Sequence, residues 1–97
     1  MTYHLPNRVL TEIRKFARQH GIRKILLFGS RARGTHTERS DIDLAVMGGD
    51  VDAFCLDLRE KVHSLLMFDV VNLDEKISEE LSREIERDGM IIYEKTG

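Results

Sequence analysis

Gly29-Ser30-Arg31-Ala32-Arg33-Gly34, then Thr35 to Ser40, then Asp41-Ile42-Asp43-Leu44 is the stretch on which the fold and the chemistry both turn. Just before it, the aliphatic run Ile22 to Phe28 predicts a strand that Gly29 ends abruptly. A strand closing on Gly-Ser lets backbone approach a ligand where no Cβ intervenes. With Ser30 opening a short helix, its hydroxyl and the N–H groups after it would face an anion. Ten residues later, Asp41 and Asp43 sit two apart at the start of a second predicted strand, Ile42 to Met47, closed by Gly48-Gly49. Residues so spaced share a face, roughly 6.5–7 Å apart along the chain. Two carboxylates there can converge on one Mg²⁺ or straddle a pair. A fixed Gly-Ser, ten residues, Asp-x-Asp string arises by chance about once in 10⁵ starting points. A P-loop is excluded because Thr35 stands where its lysine belongs, and an EF-hand because Ala45 takes the third ligand position.

Outward from this stretch the hydrophobic pattern predicts four helices and four strands. Asn7, after the lone proline Pro6, is placed to cap a first helix carrying Val9, Ile13 and Phe16/Ala17, stopped by Gly21. Asp50 is a second N-cap, and Val51, Phe54/Cys55, Leu58, Val62 and Leu65/Leu66 make an amphipathic helix. Residues 67–73, MFDVVNL, read as a third strand, buried on both faces apart from Asp69. Ser78 caps a last helix with Glu79 and Glu80 in its first turn and a narrow stripe of Ile77, Leu81 and Ile85. Gly89 ends that helix before a short strand, Met90 to Tyr93. The order predicts an α/β domain with a small mixed sheet and helices packed on it.

Asp69 is a third carboxylate in an apolar context, where an unpaired charge is costly. Beside Asp41 and Asp43 it would meet repulsion of about 4 kcal/mol per pair at 4 Å and an effective dielectric of 20. Such a cluster is best explained by a divalent cation that neutralises it.

Length and composition bound the rest. The chain has 97 residues, one proline and one cysteine, with 33% charged residues. One compact domain over 1–97 is expected, with no internal disulfide, no secretory signal and no membrane span. Cytoplasmic placement follows from that reading. The net charge of −2 divides into +7 over residues 1–40 and −9 over 41–97. Overall acidity argues against stable nucleic-acid binding. The four histidines have no metal-ligand spacing, so no zinc site is expected. Met47, Met67 and Met90 read as strand packing, and Cys55 as a buried small side chain.

At the Gly-Ser and Asp-x-Asp residues the chain resembles the minimal nucleotidyltransferases of the DNA polymerase β superfamily. Residues Gly29–Val46 match their signature, and Phe68-Asp69-Val70-Val71 matches the context of their third carboxylate. The resemblance implies a single polymerase beta-like nucleotidyltransferase domain without the helical second domain of larger relatives. It implies that Ser30 holds the β- and γ-phosphates of ATP beside Gly29, with Arg33 a phosphate or structural residue. Asp41, Asp43 and Asp69 would bind Mg²⁺ or Mn²⁺, and Asp69, in the driest context, would take the acceptor's proton. Members this short resemble antitoxins whose partner is a HEPN-domain ribonuclease toxin, adenylylated on tyrosine. Two alternatives stand beside that expectation: neutralisation by binding with little catalysis, and modification of a small molecule such as an aminoglycoside. Homo-oligomerisation is left open. The Ile77-Leu81-Ile85 stripe and the basic face of Arg14, Lys15 and Arg18 are the expected docking surfaces.

Overall fold

Strict alternation along the strands decides which residues enter which layer. In the computed structural model, which describes residues 5–37, 39–62 and 67–96, the apolar runs become β1 (Lys24–Phe28), β2 (Ile42–Met47), β3 (Phe68–Asn72) and β4 (Met90–Glu94). The helices are α1 (Asn7–Gln19), α2 (Ser30–Arg33), α3 (Val51–Lys61) and α4 (Glu79–Asp88). The four strands lie in the order β3-β2-β1-β4. β1 runs antiparallel to β2 and β4, whereas β2 and β3 are parallel, so the sheet is mixed, as expected.

Odd and even strand positions feed different layers. Ile25, Leu27, Ile42, Leu44, Val46 and Phe68 join Val9, Ile13 and Phe16 of α1 and Phe54 and Leu58 of α3 in the main core. The opposite face is thinner: Phe28 and Ala45 pack under Ile85 of α4, with Leu26, Val71, Leu73, Ile77 and Leu81 around them. Asp43 and Asp69 project on this second face, because each alternates with residues of the main core. At the far end of the sheet, α1 is pinned to α3 by His20 Nε2 and Asp57 Oδ2 at 2.5 Å, and Lys61 Nζ adds a contact to Asp57 at 3.2 Å. The His20 hydrogen bond, ahead of Lys61, holds the Asp57 carboxyl below the usual range.

Several boundaries differ from the sequence reading, each for a local reason. Pro6, not Asn7, holds the N-cap position, and Asn7 is the first helical residue with no side-chain cap. Ile22 and Arg23 precede β1, although the Arg23 N–H still donates to the Met47 carbonyl at 2.9 Å. α3 ends at Lys61, because Val62 is already extended; Leu65/Leu66, like His4 and His63, lie outside the described residues. β3 is narrower and wetter than expected: Met67 is 69% exposed, and Val70, Val71 and Asn72 are only half-buried, since β3 is an edge strand. The Asp50 and Ser78 caps form as expected, accepting from the Ala53 and Leu81 N–H groups at 3.1 Å each. The Ile77-Leu81-Ile85 stripe, expected as a docking surface, packs on the sheet, with Ile85 buried and Ile77 and Leu81 half-buried beside it. Arg14 likewise turns inward, its Nε donating to the Ile92 carbonyl at 2.9 Å. Among the described residues no helix is long and apolar enough to cross a membrane.

Candidate active site

The turn after β1 is built by Gly29, whose φ of 74° and ψ of −155° suit only a residue without a side chain. A Cβ there would run into the Asp43 carboxylate, Oδ2 first. Backbone and carboxylate are therefore in direct van der Waals proximity, which is the close approach the Gly-Ser reading anticipates. Ser30 then opens α2, a single turn closed by Gly34 in the left-handed conformation, φ 80° and ψ 13°. The Ala32 and Arg33 N–H groups both fold back onto the Gly29 carbonyl at 3.1 Å. The turn consequently does not offer a full row of free N–H groups.

Arg31 and Arg33, two apart on that turn, have opposite fates. Arg31 is 3% exposed, its Nε donating to the Ser40 carbonyl at 3.1 Å and its Nη2 reaching the Thr37 carbonyl at 3.5 Å. Burial pulls its pKa below the ordinary guanidinium value. It thereby ties the segment before β2 against the turn and brings Asp41 back to the site. Nothing in the sequence reading assigned it this role; the only signal is that an Arg-x-Arg pair on one short turn cannot place both heads in the same direction. Arg33 is exposed and pairs with Asp88 of α4, Nη1 to Oδ2 at 2.9 Å.

The carboxylates assemble from the strand register. Asp43 is opposite Phe28 on β1 and opposite Asp69 on β3, so Asp43 and Asp69 stand about one strand spacing apart, ~4.8 Å. Asp41 precedes β2 by one residue and is exposed. The Asp43 carboxyl is pushed up to about 6, first by burial, then by the charges of Asp69, Asp41 and Glu84, with Arg33 opposing them. The charges of Asp69 and Asp41 are thus both felt at Asp43, and Glu84 of α4 is a further acidic neighbour that the sequence reading missed. The expectation that Asp69 is the driest of them is overturned: Asp69 lies exposed on the edge strand, and Asp43 is the desolvated one.

The donor set is all oxygen, which fits a hard divalent cation rather than zinc or copper. A raised carboxylate among like charges is the electrostatic signature that such a cation relieves. Among the described residues no three such side chains already close on a common point, so the aspartates form an open set along the strand ends.

Residues 11–96 match the family model described as polymerase beta, nucleotidyltransferase. A protein of Methanocaldococcus jannaschii, provisionally named a protein adenylyltransferase, is 38% identical over 74% of this chain and 79% of its own. Among solved structures, a chain of a toxin–antitoxin complex with AMP-PNP superposes with a TM-score of 0.69 at 28% identity, covering 89% of this chain and 73% of that one. A variant of the toxin–antitoxin pair MntA–HpeT gives 0.68 at 26% identity with the same coverage. A Sulfolobus solfataricus structure, provisionally named a nucleotidyltransferase, shares the fold at 18% identity, with a TM-score of 0.52 over 92% of this chain and 83% of that one.

Proposed function

The chain belongs to the polymerase beta nucleotidyltransferase family, and from that premise we propose that it transfers AMP from ATP to a tyrosine hydroxyl of a HEPN-domain ribonuclease toxin, acting as its antitoxin. The observation that carries this reading is the meeting of the Gly29-Ser30 turn with the Asp43 carboxylate, a phosphate cradle touching a charge cluster. The likeness to chains of toxin–antitoxin complexes and to a protein adenylyltransferase supports the choice of acceptor.

In this reaction the acceptor oxygen attacks the α-phosphorus in line, the new O–P bond forms, and the bond to the β-phosphate bridge breaks to release pyrophosphate. Gly29 and the Ser30 hydroxyl hold the β- and γ-phosphates, and Arg33 stands at the end of the same turn. Asp41, Asp43 and Asp69 would hold Mg²⁺, or Mn²⁺ in its place, which supplies charge neutralisation at the phosphates when bound. Asp69 takes the acceptor's proton: its exposure on the edge strand leaves it within reach of a hydroxyl brought in by another protein. Arg31 keeps the segment before β2 in place, so that Asp41 and Asp43 arrive together.

The test is incubation of the chain with α-labelled ATP, Mg²⁺ and the protein encoded beside it. Stoichiometric labelling of that protein, mapped to tyrosine by mass spectrometry and lost with Asp41→Asn/Asp43→Asn, is the expected result. Toxin neutralised without added AMP, and equally well by the double variant, would refute it in favour of neutralisation by binding alone.

A further inference from the structure

Asp88 is the last residue of α4, where a helix dipole disfavours negative charge. Its side chain is nonetheless only 8% exposed. Two guanidiniums converge on it: Arg33 Nη1 reaches Oδ2 at 2.9 Å, and Arg87 reaches Oδ1 with Nε at 3.1 Å and Oδ2 with Nη2 at 2.9 Å. Arg33 comes from a different layer, 55 residues away in sequence, and it is three residues beyond Ser30 on the phosphate turn. One carboxylate thus holds two guanidiniums at the edge of that turn, and Glu84 of the same helix acts on Arg87 as well.

We propose that Asp88 is a positioning residue, which holds the Arg33 guanidinium beside the phosphate turn so that it meets the triphosphate of ATP already in place. This rests on the nucleotidyltransferase reading of the site. Three observations support it. Arg33 is 41% exposed, so its head is accessible to a ligand while still tethered. Its charge is felt at Asp43, so the tether leaves it within reach of the carboxylate cluster. The two arginines, Arg87 first, hold the Asp88 carboxyl down at about 2, so the tether stays charged throughout the working pH range. An arginine fixed before the ligand arrives loses less freedom on binding than one free in solvent. The same contact joins α4, which also carries Glu84, to the nucleotide turn.

Isothermal titration of the full chain with Mg·ATP tests this, alongside the melting temperature of each variant. Asp88→Asn should weaken ATP binding about five- to tenfold, and Arg33→Ala by at least as much. In the Arg33→Ala background Asp88→Asn should cost no further affinity, because the two act as one unit. Asp88→Asn that lowers the melting temperature but binds ATP like the wild type, or losses that add in the double variant, would overturn the inference. Should Asp88→Asn fail to melt cooperatively, Asp88→Glu keeps the charge and moves the carboxylate by one methylene. It should then weaken ATP about threefold or more, and unchanged affinity overturns the inference. A wild-type chain that does not bind Mg·ATP refutes the reading of the whole site, and this inference falls with it. Wild-type binding with unaltered variants refutes only the role of Asp88.

Discussion

Replacing Asp43 with asparagine should make the metal-free protein more stable, although it removes a residue of the proposed site. Asp43 is held at about 6 in the folded chain against an ordinary 3.8. A difference of roughly 2 units corresponds to at most about 3 kcal/mol of disfavoured charge. The side chain is partly open to solvent, and screening reduces that to about 1–2 kcal/mol. For a chain of this length each kcal/mol moves the melting temperature by roughly 4–8 °C, so the gain should be on the order of 5–10 °C. The sign follows from linkage. Below about pH 4 the carboxyl is protonated in both states and the variant has no advantage. As pH rises from about 4 through 6 the folded wild type loses stability, and the gap opens to its full value by pH 7. Circular-dichroism melts in EDTA between pH 4 and 8 measure it. Adding Mg²⁺ should then raise the wild type and not the variant. Equal melting temperatures at pH 8, or a gap that does not change with pH, would refute the electrostatic account of the cluster.

Three further outcomes are expected. Gly29→Ala puts a Cβ into the Asp43 carboxylate at a φ of 74°; it should cost about 1–3 kcal/mol in a urea titration and abolish AMP transfer. Arg31→Met removes the donors to the Ser40 and Thr37 carbonyls; limited proteolysis should cut the 35–41 segment much faster, with about 2–3 kcal/mol lost. Asp88, held at about 2, contributes stability present above pH 4 and lost as pH falls through 2; acid titration followed by fluorescence of an added apolar dye should show a steeper wild-type than Asp88→Asn transition.

What could be read without the structure was whatever local spacing governs. The Gly29-Ser30 turn and the Ile42–Met47 strand follow from the period of two and from glycine at a strand end, whereas Asp41, expected on that strand beside Asp43, stands one residue before it. Asp69 was legible because a charge in an apolar run demands an account. Its degree of exposure was not, since that depends on β3 lying at the sheet edge, a fact of topology. Glu84 and Asp88 looked like ordinary solvated charges of a polar helix. Only the placement of α4 across the second face of the sheet brings one to Asp43 and the other to Arg33. Arg31 escaped notice for a similar reason: an arginine whose guanidinium binds the Ser40 and Thr37 carbonyls leaves no pattern in sequence.

The parallel pairing of Asp43 with Asp69 has a consequence for how such a site survives divergence. The gap between these two charges is metered by backbone hydrogen bonds, a length every sheet shares, and not by the fit of particular core side chains. Apolar residues beneath can be exchanged freely while the gap stays the same. A one-residue insertion within either strand is a different matter, for it would turn one aspartate through to the α3 side and bury its charge in the main core. Length changes should therefore be absent from β2 and β3 in working descendants of this chain, and accumulate in the connections instead.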